Sequence, residues 1–213
     1  MNGHRSNQNG PAVSVVLPVY NRKGFLAAAF QSIAAQSVAS AEVVVVDDGS
    51  TDGSDEAVAE LARTSRFPVK YIRQANQGPY GARNTGVAAA AGDYIAFYDS
   101  DDIWLPEHLG TCVAALHENP DVDWVFSASE IVDLASGQTL DPHCFYQHGT
   151  PRPFMRLQHE QRGALRVITD GAAIQCQIEH GLYCGLQNSV FRRRVFDRLT
   201  FEAASRNEAE DQV

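Results

Sequence analysis

The sequence predicts an α/β fold, a three-layer α/β/α sandwich around a mostly parallel sheet. Three observations lead there. Through residues 12–128, apolar runs of strand length alternate with segments of helical periodicity, the rhythm of successive β–α–β units. Val43-Val44-Val45-Val46 is apolar at every position, as a strand covered on both faces requires. Finally, three of the strands run into polar ends: Pro18-Val19-Tyr20-Asn21, Asp47-Asp48-Gly49-Ser50 and Asp99-Ser100-Asp101-Asp102. In an open parallel sheet such ends converge on one edge, where ligands bind.

Residues 12–21 read as a buried first strand. Asn21 is placed as the N-cap of a helix over 22–36, with Phe25, Ala29, Phe30 and Ile33 as its inward stripe. A second strand, 42–48, leads through a Gly/Ser/Asp turn into a helix over 55–64, with Ala57, Val58 and Leu61 inward; Asp52 and Ser54 read as residues that start it. A short strand at 69–73 and a turn at 76–79 precede a helix over 80–91, whose Gly81, Ala82, Gly86, Ala88 and Ala89 allow close approach to a sheet or a ligand. The strand over 93–98 is the one the chain is organised around. It is apolar and aromatic, and it delivers Asp99, Asp101 and Asp102 to its C-terminal end. Pro106 opens a helix running to 118, and a strand at 122–128 completes the alternation. Beyond Ser129 the rhythm breaks into a strand at 131–134, a turn at 135–137, a loop over 141–153, a helix at 169–178, a strand at 186–191 and a short helix at 192–199 with a basic start. Residues 205–213 read as the acidic first turns of a helix that stops early, so the natural chain is expected to continue.

Composition narrows the function. A net charge of −9 without clustered cations argues against a nucleic-acid backbone as partner, yet is compatible with a single nucleotide. Cys112, Cys144, Cys176 and Cys184 form no C-x-x-C pair, so zinc and dithiol chemistry are unsupported and the thiols suit a reducing compartment. No apolar run approaches the ~20 residues that span a bilayer, and the polar residues 1–11 read as a disordered leader without a signal-peptide core. The expected location is cytoplasmic, with peripheral membrane attachment compatible.

Three clustered carboxylates repel one another unless a cation compensates, which makes a divalent metal the natural partner of Asp99, Asp101 and Asp102. A carboxylate at the same edge can accept a base N–H or ribose hydroxyls, and a carboxylate pair can hold a metal on a diphosphate. No Gly-rich dinucleotide fingerprint follows the first strand and no phosphate loop ends in Gly-Lys-Ser/Thr. Phosphate would then need metal or basic side chains, and Arg83 is the best basic candidate. A calcium loop starting at Asp48 fits at Ser50, Asp52 and Gly53, but Ala59 stands where the bidentate Glu belongs and a strand precedes it. The seven histidines show no ligand spacing, and Trp104 and Trp124 read as core or acceptor-wall aromatics.

Four motifs in this order, Val15-Val16-Leu17-Pro18-Val19-Tyr20-Asn21, Val46-Asp47-Asp48-Gly49-Ser50-Thr51-Asp52, Asn76-Gln77-Gly78 with Ala82-Arg83-Asn84-Thr85-Gly86, and Asp99-Ser100-Asp101-Asp102, resemble the family 2 glycosyltransferases of the GT-A (Rossmann-like) fold. The resemblance is close over 12–128, looser through Gln187-Asn188-Ser189-Val190-Phe191-Arg192, and ends on Glu210-Asp211. It implies one catalytic domain over 12–213, with a nucleotide-sugar half (12–128) and a C-terminally truncated acceptor-side half (129–213). It implies a donor, often a UDP-sugar, with Pro18, Val19 and Tyr20 lining the base pocket and Asp48 contacting the base. Arg83 would lie beside the nucleotide. Asp99, with Ser100, would approach the ribose or metal-bound water, and Asp101 would bind Mg²⁺ or Mn²⁺. Asp211, or Glu210, would take the acceptor hydroxyl's proton in an inverting displacement. The acceptor, whether glycan, lipid carrier, protein or small molecule, is not specified. Two other readings stand beside this one: a nucleotide-sugar-binding domain without turnover, and a nucleotidyltransferase. The latter would normally place a Gly-rich basic loop where Pro18-Val19-Tyr20-Asn21-Arg22-Lys23 stands.

Overall fold

The computed structural model describes residues 13–38, 42–133, 135–180 and 185–202. The leader 1–11 and the acidic stretch 205–213 lie outside the described residues. Strands β1 (Val13–Val19), β2 (Glu42–Asp47), β3 (Val69–Arg73) and β4 (Tyr94–Phe97) alternate with helices α1 (Lys23–Ala34), α2 (Ser54–Thr64) and α3 (Gly78–Ala89). Helix α4 (His108–Glu118) and β5 (Trp124–Phe126) follow. Short hairpins come next: β6 (Ile131–Val132) with β7 (Thr139–Asp141), β8 (Tyr146–Gln147) with β9 (Thr150–Pro151), and β10 (His159–Arg162) with β11 (Leu165–Ile168). Helix α5 (Ala173–His180) and β12 (Ser189–Arg192) close the described chain, with single 3₁₀ turns at Pro153–Arg156, Leu186–Asn188 and Arg193–Asp197.

The main sheet has the order β3-β2-β1-β4-β12-β5. Its first four strands pair in parallel. The chain builds outward from β1 to β3, then returns to lay β4 on the other side of β1. The C-terminal ends of β1 and β4 therefore flank the point where strand order reverses, the crevice in which α/β sheets hold ligands. Strand β5 does not pair with β4, as simple alternation would have it; β12 enters between them, antiparallel to both.

Both faces are covered, which is why the strands are apolar throughout. Val13, Val15, Leu17, Val43 and Val45 point to one face, under Leu26, Ala29 and Ile33 of α1, Val58 of α2 and Leu109 and Leu116 of α4. Val16, Val44, Val46, Ile95 and Phe97 point to the other, against Ala82 of α3 and the aromatic group Phe191, Phe196 and Phe201. Each fully buried aliphatic side chain contributes about 1.5–3 kcal/mol. On that second face a Cβ at Gly86 would lie 2.3 Å from Val16 Cγ1, so α3 is seated against β1 at a distance only glycine allows.

Several local expectations are corrected. Asn21 is not the N-cap of α1; it adopts φ 53° one residue earlier, and its side chain reaches across to Thr51. Phe25 lies on the exposed side of α1, and Leu26 takes the inward place assigned to it. Helix α4 starts at His108, with Pro106 in the turn before it. The stretch expected as loop carries β8 and β9, and the hairpin of β10 and β11 was not anticipated. The helix placed at 169–178 starts only at Ala173, after a turn tied by Asp170.

The three consecutive arginines near the end are structural. The Arg192 guanidinium donates to the carbonyls of Leu116, Asn119 and Val122, closing the C-terminal end of α4. Arg193 donates to the Ala90 carbonyl at the end of α3, and Arg194 pairs with Asp123. All three lie at the edge of the sheet opposite the carboxylates, and Arg192 and Arg193 satisfy helix-end carbonyls that would otherwise lack partners.

Candidate functional site

At the C-terminal edge the site begins with the turn after β1. Asn21 is left-handed without being glycine, a conformation that persists only where neighbours over-determine it. The loop after β2 does so. Ser50 Oγ accepts the Asn21 N–H at 3.0 Å, Asn21 Oδ1 accepts the Thr51 N–H at 2.8 Å, and Asp52 Oδ2 accepts the Lys23 N–H at 2.9 Å. The loop can pass so close because Gly49 turns at φ 87°. Within it, Asp47 accepts the Ser50 N–H at 2.7 Å and the Tyr71 hydroxyl at 2.6 Å. Burial pushes the Asp47 carboxyl up, but these hydrogen bonds outweigh it and hold the group below the usual carboxylate range.

Asp48 is 3% exposed. Its Oδ1 accepts the Gln77 N–H at 2.8 Å and the Gln74 side-chain amide at 2.7 Å, and its Oδ2 accepts the Gly78 N–H at 2.8 Å. Gly78 opens α3, so Asp48 caps that helix from another strand and meets the positive end of its dipole. Three acceptances leave about one lone-pair site on the carboxylate.

Arg83 projects from the second turn of α3 and is 5% exposed. Its Nη2 donates to Asp99 Oδ1 at 2.9 Å, and its guanidinium lies 5.8 Å from the centre of the Tyr80 ring. This joins the two motifs the sequence left separate, with a buried cation aimed at the first carboxylate of the acidic loop. Asp101 is exposed, with its Oδ2 4.0 Å from Arg22. Ser100 is buried in the turn that the Asp102 N–H closes onto the Asp99 carbonyl at 3.0 Å. Burial, reinforced by the charges of Asp99 and Asp101, pushes the Asp102 carboxyl up to about 7. Pro18 is half-buried, Val19 buried and Tyr20 largely exposed at the mouth.

Pro18, Val19, Tyr20, Asp48, Arg83, Asp99, Ser100 and Asp101 thus share one edge of the sheet, while Asp211 and Glu210 lie outside the described residues. The chain reaches that last stretch from Phe201. Its N–H donates to Asn84 Oδ1 and its carbonyl accepts from Asn84 Nδ2, each at 2.8 Å, and its ring stacks on Tyr80. Sequence reasoning missed Arg22 as the cation facing Asp101, Tyr71 as the partner of Asp47, and Asn84 as the holder of Phe201. None carries a local signal, because each pairing spans between 24 and 117 residues.

The donor set fits a hard divalent cation. It offers carboxylate oxygens beside negative charge that Arg83 and Arg22 only partly balance. Among the described residues no group of three or more His, Cys, Asp or Glu is arranged to hold a metal alone. One or two carboxylates, with the remaining ligands from diphosphate and water, is the pattern Mg²⁺ prefers.

Known proteins resemble this chain in sequence and in fold. An uncharacterized glycosyltransferase of Nostoc sp. is 40% identical over 129 residues, covering 61% of this chain and 39% of its own length. The succinoglycan biosynthesis protein ExoW of Rhizobium meliloti is 29% identical over 205 residues, covering 93% of this chain and 60% of its own length. The chain thus spans less than two thirds of the length of these relatives. Among solved structures, a mannosyltransferase of Pyrobaculum calidifontis in complex with GDP-Man and Mn²⁺ aligns with a TM-score of 0.52 at 29% identity, over 59% of this chain and 37% of that one. TarS of S. aureus, residues 1–349 in complex with UDP, aligns over 92% of this chain and 52% of that one, with a TM-score of 0.65 at 22% identity, a likeness of fold. The family described as glycosyl transferase family 2 matches residues 14–199, and the chain belongs to it.

Proposed function

We propose that the chain transfers a sugar from a nucleoside-diphosphate sugar, with UDP as the expected nucleotide, to an acceptor hydroxyl with inversion. The observation that carries this reading is the convergence of Asp48, Arg83, Asp99 and Asp101 on the crevice between β1 and β4. In this reading Pro18, Val19 and Tyr20 line the base pocket, and the remaining lone pair of Asp48 takes a base N–H. Asp99 and Ser100 face the ribose side. Arg83 neutralises diphosphate charge next to Asp99, and Arg22 is close enough to Asp101 to do the same. Asp101, with Asp99, would hold Mg²⁺ or Mn²⁺, which when bound stabilises the charge of the departing nucleoside diphosphate. Asp211, or Glu210 beside it, is assigned the proton of the attacking hydroxyl. The name of one relative, a succinoglycan biosynthesis protein, makes a glycan hydroxyl the first acceptor to try.

The test is isothermal titration of the chain with UDP, with and without Mn²⁺, beside Asp101→Ala. The expected result is Mn²⁺-dependent binding that the variant loses. GDP is run in parallel, because the solved neighbours hold one or the other nucleotide. Failure of both nucleotides to bind in the presence of Mn²⁺ would overturn the proposal.

A further inference from the structure

The loop from β4 to α4 carries Asp99 and Asp101 but does little to anchor itself. Ile103 and Leu105 are 66% and 71% exposed, and only Trp104 between them turns inward. The backbone beyond the acids is fixed instead by the last turn of helix α1 and the turn that follows it. Ser32 Oγ accepts the Trp104 N–H at 2.8 Å and lies 3.3 Å from the Trp104 carbonyl. The Gln36 amide donates to the Leu105 carbonyl at 3.0 Å, and its Oε1 accepts the Leu109 N–H at 3.0 Å. The Ser37 N–H donates to the Pro106 carbonyl at 2.8 Å. Inside the loop, the Tyr98 hydroxyl donates to the Asp102 carbonyl at 2.5 Å.

Ser32 and Gln36 are both buried, and a buried polar side chain is costly unless its partners are complete. Beyond one bond from Gln36 back to Ser32, their partners belong to the loop bearing the acids and to the first turn of α4. Gln36 also supplies what α4 lacks at its start. Glu107, its N-cap residue, makes no side-chain cap, and the Leu109 N–H in the first turn is satisfied by Gln36, just past the end of α1. The helix that begins beside Arg22 therefore ends by clasping the far side of the acidic loop.

We propose that Ser32 and Gln36 are positioning residues that set this loop, and with it Asp99 and Asp101, for binding a metal–nucleoside diphosphate. The inference rests on the donor-site reading above, and its test separates the two. The full chain is compared with Ser32→Ala, Gln36→Leu and a control, Val58→Ala, which thins the core under α2 away from the loop. UDP binding is titrated at a series of Mn²⁺ concentrations, and amide hydrogen exchange is followed over 99–105. Both clasp variants are expected to need at least about tenfold more Mn²⁺ for half-maximal UDP binding, a factor worth about 1.4 kcal/mol. Both are also expected to exchange faster over 99–105, while Val58→Ala does neither. Wild-type Mn²⁺ dependence in a folded clasp variant, or an equal shift in Val58→Ala, overturns the proposal. If Gln36→Leu does not fold, Ser32→Ala decides alone. If the parent chain binds no nucleoside diphosphate, the functional reading falls and exchange judges the clasp: unchanged protection of 99–105 in Ser32→Ala overturns it.

Discussion

His108 shows how one buried side chain can shape the response to pH. It opens α4 with its Nδ1 3.1 Å from Ser127 Oγ and its ring against Trp104, and among the described residues its Nε2 is buried without a hydrogen-bond partner. Burial pushes the imidazole down to about 4 from an ordinary 6.5. Between those values the unfolded chain binds a proton that the folded chain refuses, so His108 removes stability as pH falls from about 6.5 towards 4. The loss reaches as much as about 3 kcal/mol. Asp102, pushed up by burial and its neighbours, slopes the other way in the same window. The expected outcome is therefore read as a difference: urea unfolding of His108→Leu loses less stability than the parent chain between pH 6.5 and 4.5. Asp48 makes a related point about polar groups. Its carboxylate is spent on Gln74, Gln77 and Gly78, so a residue that the sequence marks as a ligand contact also builds the site.

Elements in this fold were legible where one face or both faces of a strand decided the residue types. Val43 to Val46 read as a strand buried on both faces, and the small residues of α3 allowed close approach to a sheet or a ligand, of which the structure shows the sheet. Gly86 fixes that approach: alanine there would put its Cβ 2.3 Å from Val16 Cγ1. Gly86→Ala is expected to destabilise by about 1–3 kcal/mol despite alanine's better helix propensity, as overpacking does. Val16→Ala on the same chain should return part of the loss, measured as a double-mutant cycle by thermal unfolding. The site was legible to the extent that its carboxylates sit on strand ends, since topology alone brings those together. Arg22 facing Asp101, Gln36 bonded to Leu105 and Leu109, and Asn84 bonded to Phe201 were not legible, because nothing in the local pattern of either partner specifies the other. The hairpin of β10 and β11 escaped for a different reason: His159 to Arg162 is polar and half-exposed, so no apolar alternation marks it.

For the molecule as a whole, the carboxylate edge is framed by α1, whose first turn meets the loop after β2 and whose last turn meets the loop after β4. Among the described residues no helix is long and apolar enough to cross a membrane. The sheet itself is finished late. Strand β12 lies between β4 and β5 yet begins 63 residues after β5 ends. On a ribosome adding about 5–20 residues each second, that interval lasts roughly 3–13 s. Throughout it β4 presents an open ladder of N–H and C=O groups, and β5 has no strand to join. The nascent chain is thus a sticky intermediate until its last described strand arrives, and the same weakness should appear in any piece that stops short of it. A fragment of residues 1–128, though it holds every donor-side carboxylate assigned above, is expected to associate or precipitate where the 213-residue chain stays dispersed, as light scattering at matched concentration would reveal.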